Sequence, residues 1–358
     1  MSYAKHALAI ALQTNSPIII WGPPGTGKTA FVKWLAFYYK RKLTTLMASV
    51  REPQDFAGLP IIDHEKNQVV FALPDWAKEM SADGMLFLDE ASTAPPAVQP
   101  PMLRLVHERK VGDNFYLGDD VAIIAAANPP EQAAGGWDLA APLANRFWHL
   151  DWDFDPIEWT HGFLAGFPPI DLPRLPENWK TFLPAARGLI AAFISKRPNL
   201  ALDVPAEESK ASRAWPSPRS WEMASVLLAA AMSISANDDI RALLVGGCVG
   251  TGAAAEFIPW CREMDLPDPE ELLKNPRSVK LPSRGDRAYA VLASVVSAIA
   301  SNNTKDRWEA GAVLIGIAGK QKQDIAAQGL ISLARLKQNS YTAPPEIGYL
   351  LTLFNAVK

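Results

Sequence analysis

Residues 22–29 read GPPGTGKT and follow the apolar run PIIIW. The spacing is G-x-x-x-x-G-K-[ST]: Gly22, Gly27, Lys28 and Thr29 hold the fixed positions, with Pro23, Pro24, Gly25 and Thr26 between them. Glycines so placed let the backbone wrap closely, and successive N–H groups then point inward at a chain of phosphates. The amphipathic run TAFVKWLAFYY that follows reads as a helix whose positive N-terminal end faces the same anion. In such a cradle the Lys28 ammonium reaches the β and γ phosphates, and the Thr29 hydroxyl binds Mg²⁺.

Two further stretches carry polar groups to the ends of apolar strands. MLFLDE sets four apolar residues before Asp89 and Glu90. Asp89 there would hold Mg²⁺ through water, and Glu90 would polarise an attacking water. The simpler alternative is that an acidic residue before ASTAPP only starts a helix. VAIIAAANPP ends in Asn128, an amide that must find a partner at the tip of a buried strand. It either caps an Asn-Pro turn or orients the lytic water beside the γ phosphate.

These groups need strands to carry them. The apolar runs PIIIW, LTTLMA, MLFLD, VAIIAAAN and FWHLDW alternate with helical patterns over residues 1–150, which predicts an α/β fold with a parallel sheet covered by helices on both faces. From about residue 155 the strand signals fade. Runs such as AARGLIAAFISK, WEMASVLLAAAM and RAYAVLASVVSAI predict an all-helical region, joined through the proline-rich seam FPPIDLPRLPENW. The chain has 358 residues, 49% of them hydrophobic, and a net charge of −3. The bulk charge therefore does not indicate nucleic acid or an anionic membrane as a partner. Cys248 and Cys261 read as two reduced thiols. No signal-peptide pattern or membrane-length apolar run is evident, so a cytoplasmic location is expected.

With these three motifs in order, the chain resembles a P-loop AAA+ ATPase, and more narrowly the MoxR and dynein-related branch whose members carry a helix-2 insert. EPQDFAGLPIIDHEKNQVVFALPDW is similar to that insert, a hairpin with strands near Ile61–Ile62 and Val69–Phe71 turning at DHEKN. ERKVGDNFYLGDD resembles the next hairpin, with its tip near Gly112–Phe115. LANRF resembles the family's L-x-x-RF box, which implies that Arg146 is an arginine finger. WPSPRSW resembles the sensor 2 element, with Arg219 in its arginine position. Ser217 and Pro218 would start that helix, so Arg219 opposes the helix dipole unless an anion lies nearby. Whether Arg219 acts on its own nucleotide or an adjacent protomer's stays open. Pro100 and Pro101 depart from the pattern, where a helix interior is expected, and imply a late helix start or a kink.

The resemblance implies an AAA+ nucleotide-binding domain over residues 1–155 with the insert at about 52–76, a helical lid over 156–260, and a C-terminal helical extension over 261–358. It implies ATP and Mg²⁺ as cofactors, and ATP hydrolysis to ADP and phosphate by Glu90, Asn128, Arg146 and Arg219. A finger supplied in trans requires a homo-oligomer, and a hexameric ring is expected. The role implied is chaperone-like remodelling of a protein partner, such as a von Willebrand factor A domain protein, with the two hairpins facing the pore. A nucleic-acid motor and a low-turnover scaffold are the alternatives. No substrate-recruiting domain is expected ahead of residue 1. NTKD (residues 303–306) and GCVGTG (residues 247–252) follow helical runs and read as helix connections rather than nucleotide motifs. The five histidines are too scattered to suggest a metal site, and the 12 tryptophans read as core and interface packing.

Overall fold

The structure is a computed structural model that describes residues 2–348, apart from 66, 114, 130, 131, 133–135, 168, 169 and 265. By contacts the chain divides into two units. One comprises Met1–Leu175, Asp203–Leu227 and Ala236–Ala254; the other comprises Pro176–Leu202, Leu228–Ser235 and Ala255–Lys358.

The first unit holds all nine strands of the described residues: β1 (Ile18–Trp21), β2 (Leu43–Met47), β3 (Leu59–Asp63), β4 (Gln68–Ala72), β5 (Met85–Asp89), β6 (Lys110–Val111), β7 (Phe115–Tyr116), β8 (Ala122–Ala127) and β9 (Trp148–Asp151). Five of them form one parallel sheet in the order β2-β5-β8-β1-β9. The five apolar runs of the sequence are those five strands. Every residue of β1 and β8 is buried, as a parallel sheet covered on both faces demands. Such strands cannot show polar alternation, because neither face meets water.

β3 and β4 pair as an antiparallel hairpin with Ile61 opposite Val70 and Ile62 opposite Val69. β6 and β7 form a second, with Val111 opposite Phe115. Lys66 and Asn114, within the two hairpin tips read from the sequence, lie outside the described residues. The helix Gln99–Glu108 starts late, so Pro100 and Pro101 fall in its first turn, where no intrahelical N–H bond is lost.

The helix Asp238–Val249 lies against β9. A Cβ on Gly247 would stand 2.3 Å from the His149 carbonyl oxygen, and the Trp148 indole N–H donates to Leu244 O at 3.0 Å. Gly250 then takes φ +85° and breaks the chain before the helix Thr251–Arg262, so GCVGTG is a helix-to-helix connection. Asn302–Thr304 likewise link the helices Gly285–Ser301 and Lys305–Gly319.

The second unit is helical among the described residues. Its core gathers Leu292, Val295, Ile299, Trp308, Leu314 and Leu333. The helix Leu183–Lys196 crosses Gly285–Ser301 closely enough that a Cβ on Gly188 would meet Ala290 O at 2.8 Å. No helix among the described residues is long and apolar enough to cross a membrane.

One buried polar chain ties β1 to β9. The Trp21 indole can only donate, and its N–H lies 3.0 Å from His149 Nδ1. Nδ1 therefore accepts, and Nε2–H donates to Ala144 O at 2.9 Å. Burial pushes the His149 pKa down to about 4. A histidine depressed from its ordinary 6.5 contributes stability that is whole above pH 6.5 and is lost as pH falls toward 4. The difference is about 3 kcal/mol. Urea unfolding at pH 7 and pH 4.5 should show this loss, and His149→Phe should flatten it. An unchanged slope in the variant would assign the loss to other groups.

Candidate functional site

β1 delivers the chain into the segment Gly22–Gly27, and the helix Lys28–Tyr38 leaves it. Gly22 sits where the chain after β9 passes close by. Its N–H donates to Ala127 O, while Trp152 N–H donates to Trp21 O at 2.6 Å. A Cβ on Gly22 would stand 2.7 Å from Trp152 O, so only glycine fits without a shift. Pro24 and Gly25 make the turn, and Gly25 and Gly27 take φ +78° and +88°. A Cβ at either would meet nothing within 4 Å, so it is conformation, not crowding, that selects glycine there. Thr26 Oγ1 closes the loop by donating to Pro23 O at 2.8 Å.

The Lys28 ammonium is folded back into this loop. It donates to Gly22 O at 2.6 Å, Pro23 O at 2.8 Å and Asn128 Oδ1 at 2.9 Å. Burial lowers its pKa, and the Asp89 charge opposes that shift. Thr29 Oγ1 donates to Asp89 Oδ2 at 2.9 Å, and Asp89 Oδ1 accepts from the Glu90 N–H at 3.0 Å. The sheet order explains the meeting. β8 lies between β1 and β5, so Asn128 at its tip sits between the loop and the acidic pair. Asn128 N–H is held by Ser92 Oγ at 3.0 Å.

Glu90 adopts φ +57°, ψ +39°, a left-handed conformation that costs a non-glycine residue about 1 kcal/mol. Its backbone starts the short turn Ala91–Thr93, with Thr93 Oγ1 donating to Glu90 O at 2.9 Å. The carboxylate is not spent on that turn. Its Oε2 accepts the Ser49 hydroxyl. Ser49 was not legible as a site residue. The usable signal is the register Met47↔Asp89, which carries the chain just beyond β2 alongside Glu90.

The two arginines are elsewhere. β9 runs parallel to β1 with Ile18↔Trp148 and Trp21↔Asp151. Arg146 precedes β9, so it lies at the end where β1 begins, whereas the glycine loop follows the end where β1 stops. A four-residue strand separates the two ends by about 13 Å. Arg146 and Arg219 line one cavity of about 350 Å³, together with Pro17. Burial and the nearby Arg219 charge both lower the Arg146 pKa. Arg146 donates to Pro142 O, its Nε is buried without a partner, and no ion pair is formed by either arginine among the described residues. Ser217 Oγ accepts from Ser220 N–H at 3.1 Å, which starts the helix Pro218–Ser233 and leaves Arg219 exposed in its first turn.

A second cavity, of about 690 Å³, adjoins the glycine loop and was not anticipated from the sequence. Gly25, Thr26 and Ala30 form one wall; Phe31, Trp34 and Trp152 form another. Trp34 and Trp152 are thus not simply core residues, unlike Trp21, Trp148 and Trp308. Trp152 Nε1 donates to Thr26 O at 3.2 Å, which fixes the wall to the loop.

Residues 17–147 match the sequence model of the AAA domain, dynein-related subfamily. This segment is an AAA domain of that subfamily. The chain is 27% identical over 178 residues to the Nif-specific regulatory protein of Azorhizobium caulinodans, a match covering 48% of this chain and 28% of that protein. It is 32% identical over 137 residues to the DNA-binding transcriptional regulator NtrC of Rhizobium meliloti, covering 36% and 28%. It is 27% identical over 151 residues to the protein YojN of Bacillus subtilis, covering 40% and 49%. The chain thus spans half or less of the length of these relatives.

The AAA domain's residues fit a nucleotide with its metal. The loop's concave glycines leave room, and the Thr29 hydroxyl and Asp89 carboxylate converge as hard oxygen donors suited to Mg²⁺. Gly22→Ala should destabilise the chain by about 1–3 kcal/mol through the clash with Trp152. Gly27→Ala should cost about 1 kcal/mol through backbone strain alone. Urea unfolding of both variants checks this; wild-type stability in Gly22→Ala would mean that the strands separate readily there.

Proposed function

We propose that the chain is a MoxR-like ATPase that assembles into a ring, with six copies expected, and couples ATP hydrolysis to remodelling a protein partner. The observation that carries this reading is the polarity of the site. Lys28, Thr29, Asp89, Glu90 and Asn128 meet at one end of the sheet, while Arg146 and Arg219 stand together at the other with no carboxylate partner among the described residues. Two guanidinium groups without carboxylate partners among the described residues, set away from their own phosphate loop, support a role in a second copy. On this reading Arg219, like Arg146, acts in trans.

The phosphates would displace the Lys28 ammonium from the carbonyls of Gly22 and Pro23. Thr29 and Asp89 would hold Mg²⁺, whose charge would stabilise the γ phosphate as it leaves. Glu90 would accept the proton of the attacking water, with Asn128 beside it to orient that water. The Ser49 hydroxyl holds Glu90 Oε2, so the bond fixes the direction of the carboxylate and sets which oxygen faces the water. The base would enter the aromatic cavity beside Thr26 and Ala30, where Phe31, Trp34 and Trp152 offer ring faces. A cytoplasmic location is consistent with this role. A von Willebrand factor A domain protein is the partner class the MoxR-like reading favours.

The test separates the roles. Lys28→Ala should abolish binding of a fluorescent ATP analogue. Glu90→Gln should keep the affinity within a few-fold and lower turnover by about 10²–10⁴. Arg146→Ala should leave affinity intact and lower turnover of the assembled protein by about 10³–10⁵. Undiminished turnover in Arg146→Ala would remove the trans reading, and tight binding by Lys28→Ala would remove the phosphate-loop reading. Ser49→Ala should lower turnover by releasing the Glu90 carboxylate; a rise would show instead that the hydroxyl restrains the base.

A further inference from the structure

The cavity that holds Arg146 and Arg219 has a third basic side chain. His107 stands in the last turn of the helix Gln99–Glu108 and lines the same cavity. The residue is exposed overall, and its proton affinity is lowered first by partial desolvation of the ring and then by the charges of Arg146 and Arg219. Two guanidinium groups repel one another and disfavour a proton on the imidazole beside them, and neither sequence distance nor local structure compels the gathering.

The nearby carboxylates do not explain it. Glu108 is paired with Arg104 at 3.3 Å and Lys110 at 4.0 Å, and Arg104 also pairs with Asp113 at 2.9 Å. Glu108 nonetheless raises the His107 pKa slightly against the arginines. Glu222, on the helix Pro218–Ser233, lines the cavity too and has contacts of its own. Arg109 also lines it but is committed to the fold, since its guanidinium donates to Gly118 O, Val121 O and Asn15 O. That leaves His107, Arg146 and Arg219 facing the cavity with charge to offer, and an arriving dianion would relieve their mutual repulsion.

We propose that His107 is a third donor of the Arg146–Arg219 cluster, and that as an imidazolium it contacts the terminal phosphate of a nucleotide held by an adjacent copy of this chain. This rests on the trans reading given above. The arginines stay charged at all working pH values, whereas the imidazole of His107, held neutral by its surroundings in the free protein, can gain a proton when an anion arrives, so His107 makes the cluster sensitive to pH. The phosphate stabilises the charged imidazole, and turnover is greatest where His107 is protonated.

The test is steady-state ATP hydrolysis by the full chain, at a concentration where it is assembled, from pH 5.5 to 8.5. Wild-type kcat should fall about tenfold as pH rises through the imidazole titration, the difference between a charged and a neutral hydrogen bond. His107→Lys should hold the high plateau across the range, and His107→Asn should stay at the low one. KM should change less than twofold in either variant, because the contact strengthens as charge develops on the transferring phosphate and adds little to ground-state binding. His149 does not interfere, since it titrates at about 4. A wild-type profile without this limb, or a His107→Asn protein that keeps it, overturns the proposal. Arg146→Ala assayed alongside separates the two claims. If Arg146→Ala is inactive and His107→Asn keeps the limb, only the role of His107 is lost; if Arg146→Ala turns over normally, the trans reading itself fails.

Discussion

All five strands of the central sheet run in the same direction, and the arrangement of charged groups depends on that constraint. Parallel strands gather their C-terminal tips on one edge. The tips of β1, β5 and β8 are therefore neighbours, and the groups that follow them can touch: Lys28 to Asn128, and Thr29 to Asp89. The same polarity carries Arg146, which precedes β9, to the opposite edge. Had β9 run antiparallel, Arg146 would stand beside its own phosphate loop.

The site is assembled at a cost that the surrounding fold sustains. Lys28 is partly desolvated and saturated by loop carbonyls; Glu90 is held in a left-handed conformation; Arg146 keeps a buried Nε without a partner. Each would be unfavourable in isolation. The buried sheet, with β1 pinned through Trp21 and His149 to Ala144, supplies the rigidity that keeps them in place. That hydrogen-bonded chain also joins the strand leading into the glycine loop to the short helix just before Arg146. The two edges of the sheet are thereby held in fixed relation within one copy.

Much of this was legible in the residues. The run of isoleucines before Gly22 and the alanine-rich run before Asn128 could only be buried strands, because they have no polar face. Glycines in the loop implied a closely wrapped backbone, and the loop takes left-handed φ at Gly25 and Gly27. The start of a helix at Ser217–Pro218, and a helix start that sets Pro100 and Pro101 in the first turn rather than a kink, follow from local rules of cap and proline chemistry, while the paired strands near Ile61–Ile62 and Val69–Phe71 came from the family resemblance. The partner of Ser49, the aromatic cavity and the company of His107 did not.

The sequence by itself determined the local chemistry: which segment can wrap an anion, which strand tips carry carboxylates, and where helices begin. These depend on neighbours within a few residues, so they can be read along the chain. Only the tertiary structure decided who meets whom across it. Strand order set β8 between β1 and β5, and so brought Asn128 to Lys28 across 100 positions. Strand direction separated Arg146 from the loop, and packing brought Arg219 and His107 into its cavity. The physical reason is that order and direction in a sheet are properties of pairing between distant segments, which no short window of residues contains.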